Sequence, residues 1–238
     1  MELNQIEWSG YKWITNERWG QWDASNPRFW MDPSAVSIHK GTLHLTTHLN
    51  KKTFTTPNGE TYTATHGMGT VSCLEKFGYG EFEIEARLPY GSYNWPAFWM
   101  WSWDYWPPEI DVFEGYSNKN GSYFNWADFL LGKIWRVESN IHLGKHPYNY
   151  SIGAESARWG WKNPHKHFIK YSLLWTPDVI EIKWDGKVVR KITDKSILAQ
   201  FENTKMNVLI NNWLQKDLPL NHHQPSLMQV KYFKYKQL

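Results

Sequence analysis

Short runs of alternating apolar and polar residues recur along the chain, and they limit its fold more than any other feature. In residues 81–88 every second side chain is apolar, which is typical of a β-strand with one buried face and one solvated face. Two further runs, residues 179–184 and 187–192, flank the pair Asp185-Gly186. An Asp-Gly pair readily adopts the positive φ angles of a two-residue hairpin turn, so these runs predict two antiparallel strands.

Comparable runs, separated by turn residues, occur along most of the sequence. They predict further strands near residues 42–46, 70–74, 95–103, 109–114, 135–142, 168–175, 206–212 and 229–235. Residues 194–201 alone have helical spacing. Many short strands with almost no helix predict an all-β fold, an antiparallel sandwich, and a chain of 238 residues suits one such unit. We therefore expect a single domain over residues 1–238.

Aromatic side chains are unusually frequent, with 17 Trp, 13 Tyr and 11 Phe. A hydrophobic core does not require so many indoles, although core packing is the better explanation for any one Trp taken alone. The excess predicts an aromatic surface or cleft, on which the flat faces of sugar rings can stack.

The charge and the apolar content of the chain exclude some classes of binding partner. The net charge of +3 comes from Lys and Arg residues mixed with acids, without the basic cluster expected for nucleic-acid binding. No run approaches the ~18 consecutive apolar residues of a membrane span. The single cysteine, Cys73, excludes an internal disulfide. We expect no nucleic-acid partner, no membrane partner and a monomer.

Three carboxylates lie within six residues of a strand-like sequence, at Glu109, Asp111 and Glu114. Glu109 and Asp111 share a face because side chains of a strand repeat every two residues. In a regular strand Glu114 would point into the core, where an unpaired carboxylate is costly. A β-bulge at Val112 or Phe113 would add one residue and return Glu114 to the face of Glu109.

This geometry predicts that the three carboxylates form a catalytic site. With the bulge, the carboxyl groups of Glu109 and Glu114 come to about 5–6 Å, near the ~5–5.5 Å of retaining glycosidases and below the ~6.5–9.5 Å of inverting ones. Asp111 lies between them, and like charges raise one another's pKa, so one acid holds a proton near neutral pH. The alternative is a solvated acidic strand face. Two observations argue against this alternative: aromatic residues flank the acids, and a regular strand would point Glu114 into the core.

The carboxylate segment resembles the E-x-D-x-x-E signature of glycoside hydrolase family 16. Residues 95–100, which read W-P-A-F-W-M, are similar to another segment of that family, and Trp106-Pro107 precedes the acids as in its β-1,3-glucanases. Residues 167–178 and 230–235 also resemble family segments. Together the similar segments extend over most of the chain.

The resemblance implies a β-jelly-roll of two curved antiparallel sheets with a concave substrate cleft. It implies a retaining endo-hydrolase of β-linked polysaccharides, with Glu109 as nucleophile, Asp111 as its assistant and Glu114 as acid/base. The favoured substrate is a β-1,3- or mixed β-1,3/1,4-glucan. Three alternatives are a red-algal galactan (agar, porphyran or carrageenan) as substrate, a transglycosylase, and a non-catalytic glycan-binding jelly-roll.

Substrate-binding candidates come from the matched segments and from alternation around the acids. They are Trp95, Trp99, Trp101, Trp106, Asn140, His142, Trp213 and Arg87. Core packing is an equal alternative for Trp99 and for Trp101. A sulfated galactan would require cations in the cleft, and the available candidates are Arg87, Lys133, Arg136, Lys145 and Arg158.

The resemblance also bears on cofactors and compartment. We expect no required cofactor. Many relatives use an Asp in the closing strand to bind a structural calcium, but this chain reads Gln229-Val230-Lys231, which disfavours such a site. The family implies a secreted or periplasmic protein, although residues 1–5 lack the basic and apolar regions of a signal peptide.

Overall fold

The computed structural model describes residues 4–22, 26–56, 58–124, 135, 137–155, 162–219 and 225–238. Nearly all regular structure in these ranges is β. The strands, in chain order, are β1 (Gln5–Trp8), β2 (Tyr11–Ile14), β3 (Phe29–Met31), β4 (Val36–His39), β5 (Thr42–Thr55), β6 (Thr61–Phe77), β7 (Gly80–Arg87), β8 (Asn94–Trp101), β9 (Glu109–Gly115), β10 (Val137–Lys145), β11 (Tyr148–Ser151), β12 (Ala154–Glu155), β13 (Ile169–Trp175), β14 (Ile180–Trp184), β15 (Lys187–Ile192), β16 (Met206–Leu214) and β17 (Ser226–Gln237).

Two sheets form from these strands. The first runs β1, β2, β6, β16, β8, β9 and β10, with β11 and β12 beyond β10. The second runs β15, β14, β13, β7, β17 and β5, with β4 beside β5. Strand β6 joins the sheets, because residues 61–68 pair with β5 and residues 69–77 pair with β16. Every pairing among these strands is antiparallel except β3 with β6.

The alternating runs form strands because their apolar faces meet between the sheets. In β7 the side chains of Phe82, Ile84 and Ala86 are fully buried, while the residues between them reach the surface. Asp185 and Gly186 have φ angles of 45° and 77°, which confirms the predicted hairpin turn between β14 and β15.

The predicted helical segment is short. Helix α1 spans Lys195–Leu198 and continues as a 3₁₀ turn over Ala199–Phe201. It begins at Asp194, whose side chain accepts a hydrogen bond from the Ser196 N–H. No helix among the described residues has the length and apolar character needed to cross a bilayer. The predicted all-β sandwich of antiparallel sheets is confirmed.

Candidate active site

A β-bulge in β9 brings the three acids to one side. Across the β8–β9 ladder, Phe98 pairs with Phe113 but the next residue, Trp99, pairs with Asp111. Val112 is therefore the extra residue. The β9–β10 ladder shows the same shift between Glu114 and Asp111. The predicted bulge is confirmed, and it gives Glu114 the same facing as Glu109 and Asp111.

The three acids line a cleft of about 370 Å³ on the first sheet. Strands β8, β9, β10 and β16 supply most of its surface. The lining residues are Trp19, Trp95, Ala97, Trp99, Glu109, Asp111, Glu114, Tyr116, Asn140, His142, Asn211 and Trp213.

Glu109 is held by two neighbours. The indole Nε1 of Trp106 donates a hydrogen bond to its Oε2 across 2.6 Å, and His142 Nε2 lies 3.4 Å from its Oε1. Burial, followed by the charge of Asp111, raises the pKa of Glu109 well above its usual value. The contacts with His142 and Trp106 favour the charged form and oppose this rise.

Asp111 is the most buried of the three acids, with only 2% of its surface exposed. Its Oδ2 makes no hydrogen bond within the described residues, although His142 Nε2 lies 3.4 Å away. Burial, and then the charge of Glu114, raises the pKa of Asp111 well above its usual value. Hydrogen bonding with Glu109 and the charge of Arg190 oppose the rise.

Glu114 accepts two hydrogen bonds at one oxygen. Trp95 Nε1 and the Tyr116 hydroxyl each donate to its Oε1 across 3.0 Å. Burial raises the pKa of Glu114, and the two hydrogen bonds oppose that effect. Because all three acids have raised pKa values and lie together, the cleft retains a carboxyl proton to higher pH than an isolated carboxyl group would.

Asn140 and His142 face the acids from the neighbouring strand. In the β9–β10 register they stand opposite Asp111 and Glu109. The amide Nδ2 of Asn140 lies 3.3 Å from His142 Nε2, and its Oδ1 accepts a hydrogen bond from the backbone N–H of Ile141. The structure thus brings both predicted residues to the cleft.

Three tryptophans form an aromatic wall beside Glu114. Trp213 meets Trp95 edge to face at 5.7 Å between ring centroids and Trp99 at 6.0 Å. Trp99 Nε1 donates to Asn211 Oδ1, and Trp213 Nε1 donates to Thr70 Oγ1. Because protein acceptors satisfy these indole N–H groups, the rings offer apolar faces to a ligand.

Trp19 was not predicted as a site residue, and it changes the environment of Trp101. Its ring lies 5.7 Å from that of Trp101, which is only 9% exposed. Trp101 therefore fits the packing alternative, whereas Trp19 is 49% exposed and lines the cleft. Trp19 lies outside the strands, so no alternating pattern could predict that its side chain lines the cleft.

Tyr116 and Asn211 were also missed. Tyr116 follows Glu114 by two positions, and the period of a strand would have indicated a shared side. Asn211 comes two residues before Trp213 on β16, so the same argument would have included it.

Arg87 is a predicted substrate-binding residue that the structure does not bring to the cleft of the three acids. Arg87 ends β7, which belongs to the second sheet, whereas the acids lie in the first. Its guanidinium donates to Gln229 Oε1 and lies 5.3 Å from the ring centroid of Phe168. Lys145 is exposed at the end of β10 and does not line the cleft. The other cation candidates, Lys133, Arg136 and Arg158, lie outside the described residues.

Glu109, Asp111 and His142 each present one oxygen or nitrogen within 4.8 Å of the other two. These are side-chain types that bind metals. The same grouping also occurs where carboxylates and a histidine perform acid–base chemistry. We therefore treat the three as an acid–base group, in which His142 Nε2 lies 3.4 Å from one oxygen of each acid.

Residues 24–234 match the family model of the glycosyl hydrolases family 16. The chain belongs to this family. The predicted resemblance is confirmed, and the match extends over both sheets and all three acids.

Individual relatives are distant. The chain is 28% identical over 209 residues to glucan endo-1,3-beta-glucosidase A1 of Niallia circulans, covering 81% of this chain and 28% of the relative. It spans less than half the length of each curated relative that it matches here.

Solved structures of other proteins share the fold. A structure from work on endo-acting O-glycanases of the human gut microbiota aligns with a TM-score of 0.73 and 20% identity over 98% of this chain and 86% of the other. LamA E269S of Zobellia galactanivorans, in complex with laminaritriose and laminaritetraose, aligns with a TM-score of 0.70 and 18% identity over 99% and 100%. The predicted β-jelly-roll is confirmed.

Proposed function

We propose that this chain is a retaining endo-glycoside hydrolase that cleaves a β-linked polysaccharide, with a β-1,3- or mixed β-1,3/1,4-glucan as the favoured substrate. One observation carries the proposal. The bulge at Val112 turns Glu109, Asp111 and Glu114 toward one cleft, and separate donors hold Glu109 and Glu114. Membership of the family supports the same conclusion.

The reaction is a double displacement. Glu109 attacks the anomeric carbon as Glu114 protonates the leaving glycosidic oxygen, which gives a glycosyl-enzyme ester and a shortened chain. Glu114, now ionised, then removes a proton from water, and the water oxygen displaces Glu109 from the anomeric carbon. Two inversions restore the β configuration.

The buried Asp111 keeps the charge of Glu109 adjustable. It is the acid with the least access to water, so its ionised form is the most costly of the three. The hydrogen bond between the two acids favours ionised Asp111, and the charge of Asp111 raises the pKa of Glu109. The two acids can therefore share a proton: Asp111 can hold it while Glu109 attacks, and can ionise once Glu109 has become an uncharged ester.

A neutral glucan suits the cleft better than a sulfated galactan. Among the cleft-lining residues that the structure describes there is no Lys or Arg, whereas sulfate groups call for such cations. The exposed indole of Trp19 and the wall formed by Trp95, Trp99 and Trp213 offer apolar faces for neutral sugar rings. The runner-up substrate is a galactan whose sugar rings carry no sulfate where they lie in the cleft.

A non-catalytic glycan-binding role is the second candidate. A relative over 122 residues, at 31% identity, is a beta-1,3-glucan-binding protein of Penaeus monodon. Glycan binding, however, does not require three carboxyl groups in one cleft, and the burial of two of them, Asp111 and Glu114, costs stability. The hydrogen-bond donors that hold Glu109 and Glu114 support catalysis.

The mechanism requires no cofactor. The residues at the closing strand also do not fit a calcium ion, because Lys231 occupies β17 where many relatives carry an Asp. Its ammonium pairs with Glu85 Oε1 at 2.7 Å and lies 4.4 Å from the Phe168 ring centroid. A positive charge at this position repels a cation, so we propose stability without calcium. We also propose action as a monomer and, because the chain belongs to this hydrolase family, outside the cytoplasm.

The proposed function is tested by reducing-sugar release from laminarin, lichenan, xyloglucan, agarose, porphyran and carrageenans, with Glu109→Ala as the inactive control. Release from laminarin or lichenan, with a β-configured new reducing end by NMR, is the expected result. Release from a galactan alone would change the substrate but not the mechanism. An α product, or no release by the unaltered protein together with binding of a glucan, would overturn the hydrolase proposal.

A further inference from the structure

The carboxyl group of Glu114 is held asymmetrically. Both of its donors, Trp95 Nε1 and the Tyr116 hydroxyl, reach Oε1. Within the described residues, Oε2 has no hydrogen-bond partner. A carboxylate oxygen has about two lone-pair sites, so two donors fill Oε1 and leave Oε2 open.

Resting on the hydrolase function above, we propose that Tyr116 is a positioning residue for Glu114: with Trp95 it fills both acceptor sites of Oε1 and so assigns the transferable proton to Oε2. Tyr116 acts through Glu114 and not on the reacting sugar. An acid whose proton is always on the same oxygen needs no rearrangement before it protonates the glycosidic oxygen.

Two features keep Tyr116 in the donating role. Its ring stacks on Trp95 at 5.5 Å between centroids and 26° between planes, which fixes the direction of the hydroxyl. Burial and the charge of Glu114 raise the pKa of Tyr116, so the hydroxyl keeps its proton. An indole N–H only donates, so Trp95 cannot accept a proton from Oε1 in exchange.

The hydrogen bond from Tyr116 also affects the pKa of Glu114. Other titratable groups act on Glu114 from its surroundings: Asp111 on the same strand, and Glu138 and His142 on β10. Glu138 raises the pKa of Glu114 and His142 lowers it, while Tyr116 lowers it by stabilising the ionised form. Removal of the hydroxyl therefore raises this pKa, and the protonated acid persists to higher pH.

The test uses Tyr116→Phe, which keeps the ring that stacks on Trp95 and removes the hydroxyl. The alkaline limb of kcat/KM against pH should move up by about one pH unit, the usual effect of one hydrogen bond to a charged group. On laminarin kcat/KM should fall about tenfold, because the proton is no longer confined to Oε2. On 2,4-dinitrophenyl β-laminaribioside, whose leaving group needs no proton, it should change less than about twofold.

Two further variants sharpen the test. Trp95→Phe removes the other donor to Oε1 and should move the alkaline limb in the same direction. Tyr232→Phe removes a tyrosine hydroxyl that donates to Glu83 Oε1 on the second sheet, away from the cleft, and should leave the profile unchanged.

The proposal is overturned if Tyr116→Phe leaves the alkaline limb in place, moves it down, or lowers kcat/KM equally on both substrates. Carbon-13 NMR titration of labelled glutamate, compared between the unaltered protein and Tyr116→Phe, measures the pKa of Glu114 without activity. An inactive unaltered protein would contradict the hydrolase function alone, whereas an unchanged Glu114 titration would contradict the role of Tyr116 alone.

Discussion

Trp106 donates its indole N–H to Glu109 across 2.6 Å, from a position only three residues before it in the chain. An indole has no acceptor, so this contact favours the ionised carboxylate over the carboxylic acid. The contact with Trp106 therefore opposes, without cancelling, the rise in the pKa of Glu109 that burial and the charge of Asp111 cause.

Trp106→Phe should therefore raise the pKa of Glu109. The nucleophile must be ionised, so the acid limb of kcat/KM should move to higher pH, by about one unit for the loss of one hydrogen bond to a charged group. Kinetics across pH on laminarin measures the shift. Trp22→Phe, on an indole that packs against Phe54 instead, is the control. An acid limb that stays in place would show that Trp106 does not tune Glu109.

Asp111→Asn should shift the same limb in the opposite direction. The charge of Asp111 raises the pKa of Glu109, so its removal lets Glu109 ionise at lower pH. Activity at the optimum should still fall, by about 100-fold, because the amide cannot adjust its protonation with the charge of the nucleophile. Asp178→Asn, at an exposed carboxylate paired with Lys195, serves as the control. A shift to higher pH would contradict this account of Asp111.

Much of this site could be predicted because one acid departs from the two-residue side-chain period of a β-strand. Glu109 and Asp111 obey the two-residue period, whereas Glu114 does not, and a buried carboxylate is too costly to ignore. The bulge at Val112 follows from that conflict. The alternation of β7 and the Asp185-Gly186 turn are equally local, which is why the sandwich could be predicted as well.

The positions of other site candidates depend on contacts between residues that are far apart in the chain. Alternation shows that Arg87 ends a strand but not which sheet holds that strand, and β7 lies opposite the acids. Trp19 reaches the cleft from a segment without strand periodicity, so only tertiary packing reveals it. The same packing covers Trp101 and removes it from the cleft surface.

Trp19→Ala should weaken substrate binding without slowing the chemistry. Its indole is 49% exposed within the cleft, and loss of one stacking platform corresponds to about a tenfold rise in KM with kcat nearly unchanged. Steady-state kinetics on laminarin and calorimetry with laminaritetraose measure the two effects. Tyr148→Ala, at a tyrosine that is 86% exposed on β11, controls for loss of a surface aromatic. A fall in kcat at constant KM would exclude a role in binding alone.

Arg190→Met should destabilise the sandwich behind the acids. Arg190 belongs to β15 of the second sheet, yet its guanidinium donates to the Ser139 carbonyl at 2.9 Å and to the Ile152 carbonyl. Ser139 lies between the two β10 residues that pair with Glu114 and Asp111, so Arg190 supports the strand that faces the bulge.

Loss of the guanidinium removes its charge-assisted hydrogen bonds to the Ser139 and Ile152 carbonyls, and the free energy of unfolding should fall by about 2–5 kcal/mol. Urea denaturation measures it. Arg190→Lys keeps one charged donor and should lose less, while Lys191→Met removes the neighbouring exposed cation, which pairs with Glu181, and should change stability little. Equal stability of Arg190→Met and the unaltered protein would mean that the two sheets hold the bulge without this cross-sheet contact.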